Sequence, residues 1–365
     1  LPTLLAEQEL VQADAREINA DSLTHADALV VRSVTQVDRR LLTGSSVRFV
    51  ATATSGVDHV DLPWLANSGI AFSSAAGANA TAVADYVMAA FSWYLQRTGK
   101  RPEQLRCGIV GIGHVGTEVL RRFRALGCVT LACDPPRQES GDPLASDFEG
   151  PSALSACDVV SVHVPLNSSG RYATVGLIDE EFLRALPLGA LLINTSRGGV
   201  LNERDASRIL SVRKDIRLVL DVFAGEPCAD PSLVGVTDLI TPHIAGYSRL
   251  AKHLAARQVA KALMRFFELA VPPSNESADS TDQMRLELVT GQSDEVWQVA
   301  LKCFDLTAIS DNFKSSIKRG NSEEVFDSLR KQCSERPEYS ECSAGGQMTA
   351  QASNYMAGLG FAVDR

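Results

Sequence analysis

Short apolar runs broken by polar or glycine-rich residues recur along most of the chain, and longer stretches between them repeat their apolar residues at helical spacing. ALVVRS (28–33) and VRFVATATSG (47–56) read as buried parallel strands whose polar C-terminal ends face a cleft. NATAVADYVMAAFSWYLQRT (79–98) follows an Asn79 cap and predicts a packing helix connecting two domains, its aromatic stripe core or interface rather than a cofactor box. CGIVGIG then opens a series continued by VTLACD (129–134), DVVSVHVP (158–165), ALLINTS (190–196), RLVLDVF (217–223) and DLITPHI (238–244). Each run is short and β-rich, and the spacers are long enough for crossover helices, which is the pattern of a doubly wound parallel sheet.

A second helical stretch, 248–269, returns to the first domain, and VPPSNESADSTDQ (271–283) has the Pro, Ser and Asp content of a linker. In the tail, SDEVWQVALKCFDL puts Val296, Val299, Ala300, Cys303 and Phe304 on one helix face, and NSEEVFDSLRKQ starts acidic and ends basic, as a helix dipole favours. The tail holds no catalytic constellation and reads as a small dimerisation or docking domain. The expected fold class is α/β, with two doubly wound Rossmann-like domains around a cleft and a small C-terminal α+β dimerisation domain. The boundaries are 1–78 for a substrate-binding domain, 79–246 for a nucleotide-binding domain, 247–270 for the return helix, 271–283 for the linker and 284–365 for the tail.

At 365 residues the chain exceeds one ordinary core, and 45% hydrophobic with 22% charged residues describes a globular protein. A net charge of −9 argues against nucleic-acid or anionic-membrane partners, so any phosphate site must be local. The eight cysteines form no CxxC pair and no zinc-like grouping with histidine, which implies no metal site and a reducing, cytoplasmic home. No apolar run reaches membrane-spanning length, and the N-terminus has no signal-peptide pattern. The chain starts at Leu1 without methionine, as if inside the natural protein.

The strongest chemical signal is CGIVGIGHVG (107–116), where a strand breaks into Gly111, Gly113 and Gly116 before a helix. Bare backbone there lets a dinucleotide pyrophosphate approach the helix N-terminus, and Asp134 follows at the distance expected of a ribose-binding acid. Its carboxylate would repel a 2′-phosphate, favouring NAD over NADP, while nearby Arg137 works against that preference. Further along, Arg197 in NTSRGG, Glu226 in DVFAGEP and His243 in TPHIAGY lie at strand ends. Hydride transfer from a secondary alcohol needs a base, a carboxylate-binding cation and a bound nicotinamide; histidine oriented by a carboxylate, and arginine, suit the first two roles. Each residue alone also fits a loop histidine, a solvated turn or a surface ion pair. Ser33 and Thr54, with Arg32, Ser55 and Gly56, either contact substrate or cap turns. His59 beside Asp58 and Asp61 reads as an ordinary polar residue near a helix start, and His163 as a hydrogen-bonded core histidine or a wall of the cofactor pocket.

Together these motifs resemble the D-isomer-specific 2-hydroxyacid dehydrogenases over nearly the whole chain. The resemblance rests on ADALVVRSVT, VATATSGVDHVD, GIVGIGHVG, CDPPR, LLINTSRGGVLNE, LDVFAGEP and TPHIAGYS, and continues through the CFDL helix and AGLGF near residue 360. It implies Arg197 as the binder and polariser of a 2-hydroxy acid, His243 as acid/base and Glu226 as its partner. It implies NAD contacts from Gly111, Gly113, His114, Val115, Gly116, Asp134, Val164, Thr195, Ser196, Asp221 and Gly246. Ser33, Thr54 and Tyr247 match substrate contacts. Val164 stands where relatives carry a threonine, which removes one cofactor hydrogen bond, and a first strand is expected before Leu1. The implied substrate is a small phosphorylated 2-hydroxy acid and the implied assembly a homodimer through the tail. Competing readings are a relative acting on another acid, such as D-3-phosphoglycerate, and an NADH-sensing, corepressor-like binding protein.

Overall fold

The computed structural model describes residues 5, 8–15, 17–143, 148–270, 284–287, 292–345 and 348–363. The expected linker at 271–283 lies outside the described residues. Two compact units emerge, Leu1–Asn79 with Arg249–Ser280 and Ala80–Ser248 with Thr281–Arg365.

In the first unit, β1 (Ala28–Val31), β2 (Phe49–Thr52) and β3 (Ala71–Ser74) form a parallel sheet in the order β1-β2-β3. Leu29, Val31 and Val50 pack on one side with Val37 and Leu65. Phe49 and Ala51 pack on the other against Ala255, Val259 and Leu263 of the helix Arg249–Phe266. That helix lies within 247–270, the stretch expected to return to this domain. Its buried apolar stripe, at roughly 1.5 to 3 kcal/mol per large side chain, is what brings the chain back to this sheet.

The second unit is built on β4 (Arg106–Val110), β5 (Val129–Cys133), β6 (Val159–Val162), β7 (Leu191–Asn194), β8 (Arg217–Leu220) and β9 (Leu239–Ile240). All pair in parallel in the order β5-β4-β6-β7-β8-β9, so the winding reverses between β4 and β6. Both faces are covered. The helices Ala80–Thr98 and His114–Ala125 contribute to one core, and Glu180–Ala185 and Glu203–Leu210 to the other. This is why β6 and β7 are buried at every position and read as unbroken apolar runs. Each ladder is shorter than the run that announces it, because the polar residues at the strand exits leave the sheet and enter the loops.

The tail adds β10 (Met284–Glu287), β11 (Cys342–Gly345) and β12 (Ala362–Val363), paired in parallel in that order. Helices separate these strands, an alternating α/β arrangement in place of the segregated α+β one expected. The expected helix through CFDL ends at Cys303, because the Asp305 carboxylate accepts the Ala308 N–H at 3.0 Å and starts a second helix, Leu306–Arg319. Nor does the tail stand apart. Val296, Val299 and Ala300 join the core of helix Ala80–Thr98, while Phe313, Phe326 and Leu329 join the core on the opposite face.

Candidate active site

Brought to one edge of the six-stranded sheet, the C-terminal ends of β4 to β9 carry every site residue expected of the second unit. Ligands of open parallel sheets bind at that edge, beside the reversal of strand order.

After β4 the chain turns at Gly111, where φ is +86° and an added Cβ would lie 2.7 Å from the His163 carbonyl oxygen. A Cβ on Gly116 would fall 1.9 Å from the Gly111 oxygen, so the turn needs both glycines to pack against its own helix. Gly113 differs, with nothing within 4 Å of its Cβ position. It caps the helix His114–Ala125 without a side-chain hydrogen bond, leaving first-turn N–H groups to an outside acceptor. His114 and Val115 begin that helix. This is a cradle open on the side from which a pyrophosphate would approach. After β5, Asp134 accepts the Ile112 N–H at 2.8 Å and the Arg137 N–H at 3.1 Å, tying the acid to the glycine turn. Arg137 itself donates to the Ile112 oxygen at 2.6 Å and pairs with Asp142 at 2.5 Å. Its charge is partly neutralised there, which weakens the case for a 2′-phosphate. The residues fit NAD.

After β6, His163 bonds Ser161 Oγ through Nε2 at 2.8 Å and Thr195 Oγ1 through Nδ1 at 3.2 Å. Burial pushes its pKa down to about 3, so the ring is neutral. Adjacent Val164 is half-buried and brings no hydroxyl. After β7, Asn194 Oδ1 accepts from both the backbone and the hydroxyl of Ser196, and Asn194 Nδ2 donates to the Arg197 oxygen at 3.2 Å. Thr195 and Ser196 are buried while Arg197 is half-buried. A Cβ on Gly198 would lie 2.2 Å from the Phe223 oxygen, so this glycine lets the β7 and β8 loops meet.

The β8 and β9 loops join the acid and the base. Glu226 Oε2 lies 2.8 Å from His243 Nδ1, and Glu226 Oε1 accepts the Phe223 N–H at 3.2 Å. Among the described residues no protein group bonds His243 Nε2, and the side chain is 35% exposed, so the second nitrogen is available to a substrate. His243 holds φ at +54°, an unfavourable value for a residue with a Cβ, and the loop is pinned accordingly. The His243 N–H donates to the Asp221 oxygen at 2.8 Å. The Asp221 carboxylate accepts from Thr241 Oγ1, Ile244 N and Ala245 N at 2.7 to 2.8 Å. Burial raises the pKa of Asp221, and the His243 charge, the Thr241 hydroxyl and the two N–H groups counter it. Expected only as a lining residue, Asp221 also organises the His243 loop. Tyr86 Oη, 2.7 Å from Thr241 Oγ1, extends the same network.

Gly246 and Tyr247 follow His243 in the same loop, both half-buried. Ser33, exposed after β1, and Thr54, half-buried after β2, belong to the first unit. Thr54 Oγ1 donates to the Gly56 oxygen at 2.8 Å and lies 2.7 Å from Thr52 Oγ1, which lies 3.0 Å from His59 Nε2. His59 is therefore a buried, bonded histidine that fixes a threonine, matching its plain polar reading. No group of three or more His, Cys, Asp or Glu suited to a metal occurs among the described residues, and no described helix is long and apolar enough to cross a membrane.

Residues 75–245 match the D-isomer specific 2-hydroxyacid dehydrogenase NAD binding domain. The erythronate-4-phosphate dehydrogenase of a Marinomonas species is 39% identical over 362 residues, covering 96% of this chain and 94% of that protein. The protein of the same name from Edwardsiella ictaluri is 46% identical over 259 residues, 71% of this chain and 68% of its own length. Among solved structures, D-lactate dehydrogenase from Aquifex aeolicus, complexed with NAD and lactic acid, superposes with a TM-score of 0.62 at 22% identity. The overlap covers 73% of this chain and 91% of that one, a likeness of fold.

Proposed function

Because the chain belongs to the D-isomer-specific 2-hydroxyacid dehydrogenases, we propose that it oxidises 4-phospho-D-erythronate to (R)-3-hydroxy-2-oxo-4-phosphooxybutanoate with NAD, in pyridoxal phosphate biosynthesis. The observation that carries the chemistry is the 2.8 Å contact between His243 Nδ1 and Glu226 at the sheet edge. With Nδ1 held by the carboxylate, Nε2 takes the proton of the substrate 2-hydroxyl, and Glu226 stabilises the imidazolium that forms. Arg197 binds the substrate carboxylate and polarises C2, its main chain fixed by Asn194. When bound, NAD supplies the nicotinamide ring that accepts the hydride from C2. Gly111, Gly113, His114, Val115 and Gly116 would hold its pyrophosphate, and Asp134 its adenosine ribose. Thr195, Ser196, Arg197 and Asp221 would line the nicotinamide side, Gly246 would touch the cofactor, and Val164 would meet it without a hydroxyl to offer. Ser33, Thr54 and Tyr247 bind the substrate.

The eight free thiols support a reducing, cytoplasmic setting. A homodimer through 284–365 completes the reading, with sedimentation across a range of concentrations as its check. For the activity, purified protein is given NAD and 4-phospho-D-erythronate, with a 2-oxo acid to recycle held cofactor, and NADH fluorescence is followed. D-3-phosphoglycerate is run in parallel. Turnover confined to the erythronate is expected; preference for the glycerate would move the protein to another member of the family.

A further inference from the structure

The loop that carries His243 does not end in the sheet-edge network. Its last residues, Tyr247 and Ser248, are gripped by the tail just before the chain passes into the helix Arg249–Phe266. Arg336 Nε donates to the Tyr247 oxygen at 3.2 Å, and Ser248 Oγ donates to Glu338 Oε1 at 2.6 Å. The Arg330 guanidinium sits 5.1 Å from the centre of the Tyr247 ring.

Arg336 is itself fixed from several sides. Arg336 Nη2 donates to the Ala82 oxygen at 3.2 Å, Nη1 reaches the Pro337 oxygen and Asp85 Oδ2, and the guanidinium lies 4.0 Å from the Phe304 ring centre. Asp85 is held in turn by Arg122 Nη1 at 2.6 Å and by the Tyr339 N–H at 2.9 Å. Asp85 and Glu338 are 0% exposed, Arg122 1% and Arg336 8%. A buried ionic network of this kind adds little stability over apolar packing of the same volume, whereas it does enforce one geometry. Here the geometry enforced is that of the segment directly after the base.

We propose that Arg336 and Glu338 are positioning residues for the oxidation, acting through Tyr247 and Ser248 to hold the substrate-contacting tyrosine in register with His243. The inference rests on the functional reading in which Tyr247 touches the substrate. It assigns the tail a part in the reaction of its own chain, separate from any role in assembly.

The test is a double-mutant cycle on the full-length protein, with KM for 4-phospho-D-erythronate, kcat and the NADH dissociation constant measured for every variant. Arg336→Lys keeps a cation beside Asp85 but lacks the fork that reaches the Tyr247 carbonyl. It should raise KM about tenfold, the scale of one lost hydrogen bond to a charged donor, with NADH affinity within about twofold. Ser248→Ala, a milder change, should move KM about threefold in the same direction and serves if the arginine variant folds poorly. On a Tyr247→Phe background both effects should shrink below about twofold, because the hydroxyl they place has gone. Additive losses across the cycle, or NADH affinity falling in step with KM, would overturn the inference while leaving the function intact. A Tyr247→Phe protein with unchanged KM would overturn the substrate assignment of Tyr247, and the inference with it.

Discussion

Two histidines stand at strand exits of the same parallel sheet, His163 after β6 and His243 after β9, and their surroundings give them opposite capacities. Both nitrogens of His163 are occupied by hydroxyls, and burial holds the ring neutral. His243 has one nitrogen on a carboxylate and, among the described residues, no protein partner on the other. A neutral imidazole with no free nitrogen can only shape a wall, whereas one with a carboxylate behind it and a free nitrogen in front can take a proton. Residue type and strand position are shared; the partners decide.

Replacing the base should have the largest effect. His243→Ala is expected to lower kcat by about a thousandfold while NADH binding stays close to wild type, measured by turnover and by fluorescence titration. His163→Gln should leave turnover within about tenfold but alter how stability depends on pH. The folded-state pKa of His163 lies below its ordinary 6.5, so the unfolded chain takes up a proton that the folded one refuses. Its contribution is present above pH 6.5 and lost as pH falls toward 3, roughly 4 kcal/mol that the variant should not lose. Urea titrations of both proteins across that range measure the difference.

Glu338 provides the opposite slope. Burial, opposed by the Ser248 hydroxyl, pushes its pKa up to about 7, so its contribution is complete below about 4.5 and fades as pH rises through 7. Between pH 5 and 8, Glu338→Gln should remove a decline of roughly 3 kcal/mol, read from the same titrations. The smallest expected effect belongs to the partner of the base. Glu226→Gln still accepts a hydrogen bond from His243 Nδ1 but cannot stabilise the imidazolium, and kcat should fall about thirtyfold. A Glu226→Gln protein as active as wild type would erase the distinction between the two strand ends.

Much of this was legible in the sequence, and the exceptions have physical causes. Fully buried strands announce themselves as apolar runs, so the six strands of the larger sheet and the loops after them could be located. Gly111 and Gly116 were readable because their packing tolerates no side chain. The partners of a histidine were less visible: Ser161 lies two residues from His163, but Thr195 comes from a separate strand that only the folded sheet brings near. The tail was the least legible part. Its contacts with Tyr247 and Ser248 span about ninety residues of chain, and the one local sign was Asp85, a lone acid inside an otherwise apolar helix. A carboxylate in such a place requires a buried cation, and the sequence does not say that Arg122 and Arg336 provide it.

The most direct test of the account is a single-turnover measurement with His243→Ala and His163→Gln side by side. Each variant is saturated with NAD, mixed with 4-phospho-D-erythronate, and followed by NADH formation on the enzyme. The His243 variant should form no NADH on the timescale of the wild-type burst while still binding added NADH, and the His163 variant should retain the burst. Equal loss in both, or a surviving burst without His243, would contradict the assignment of the base.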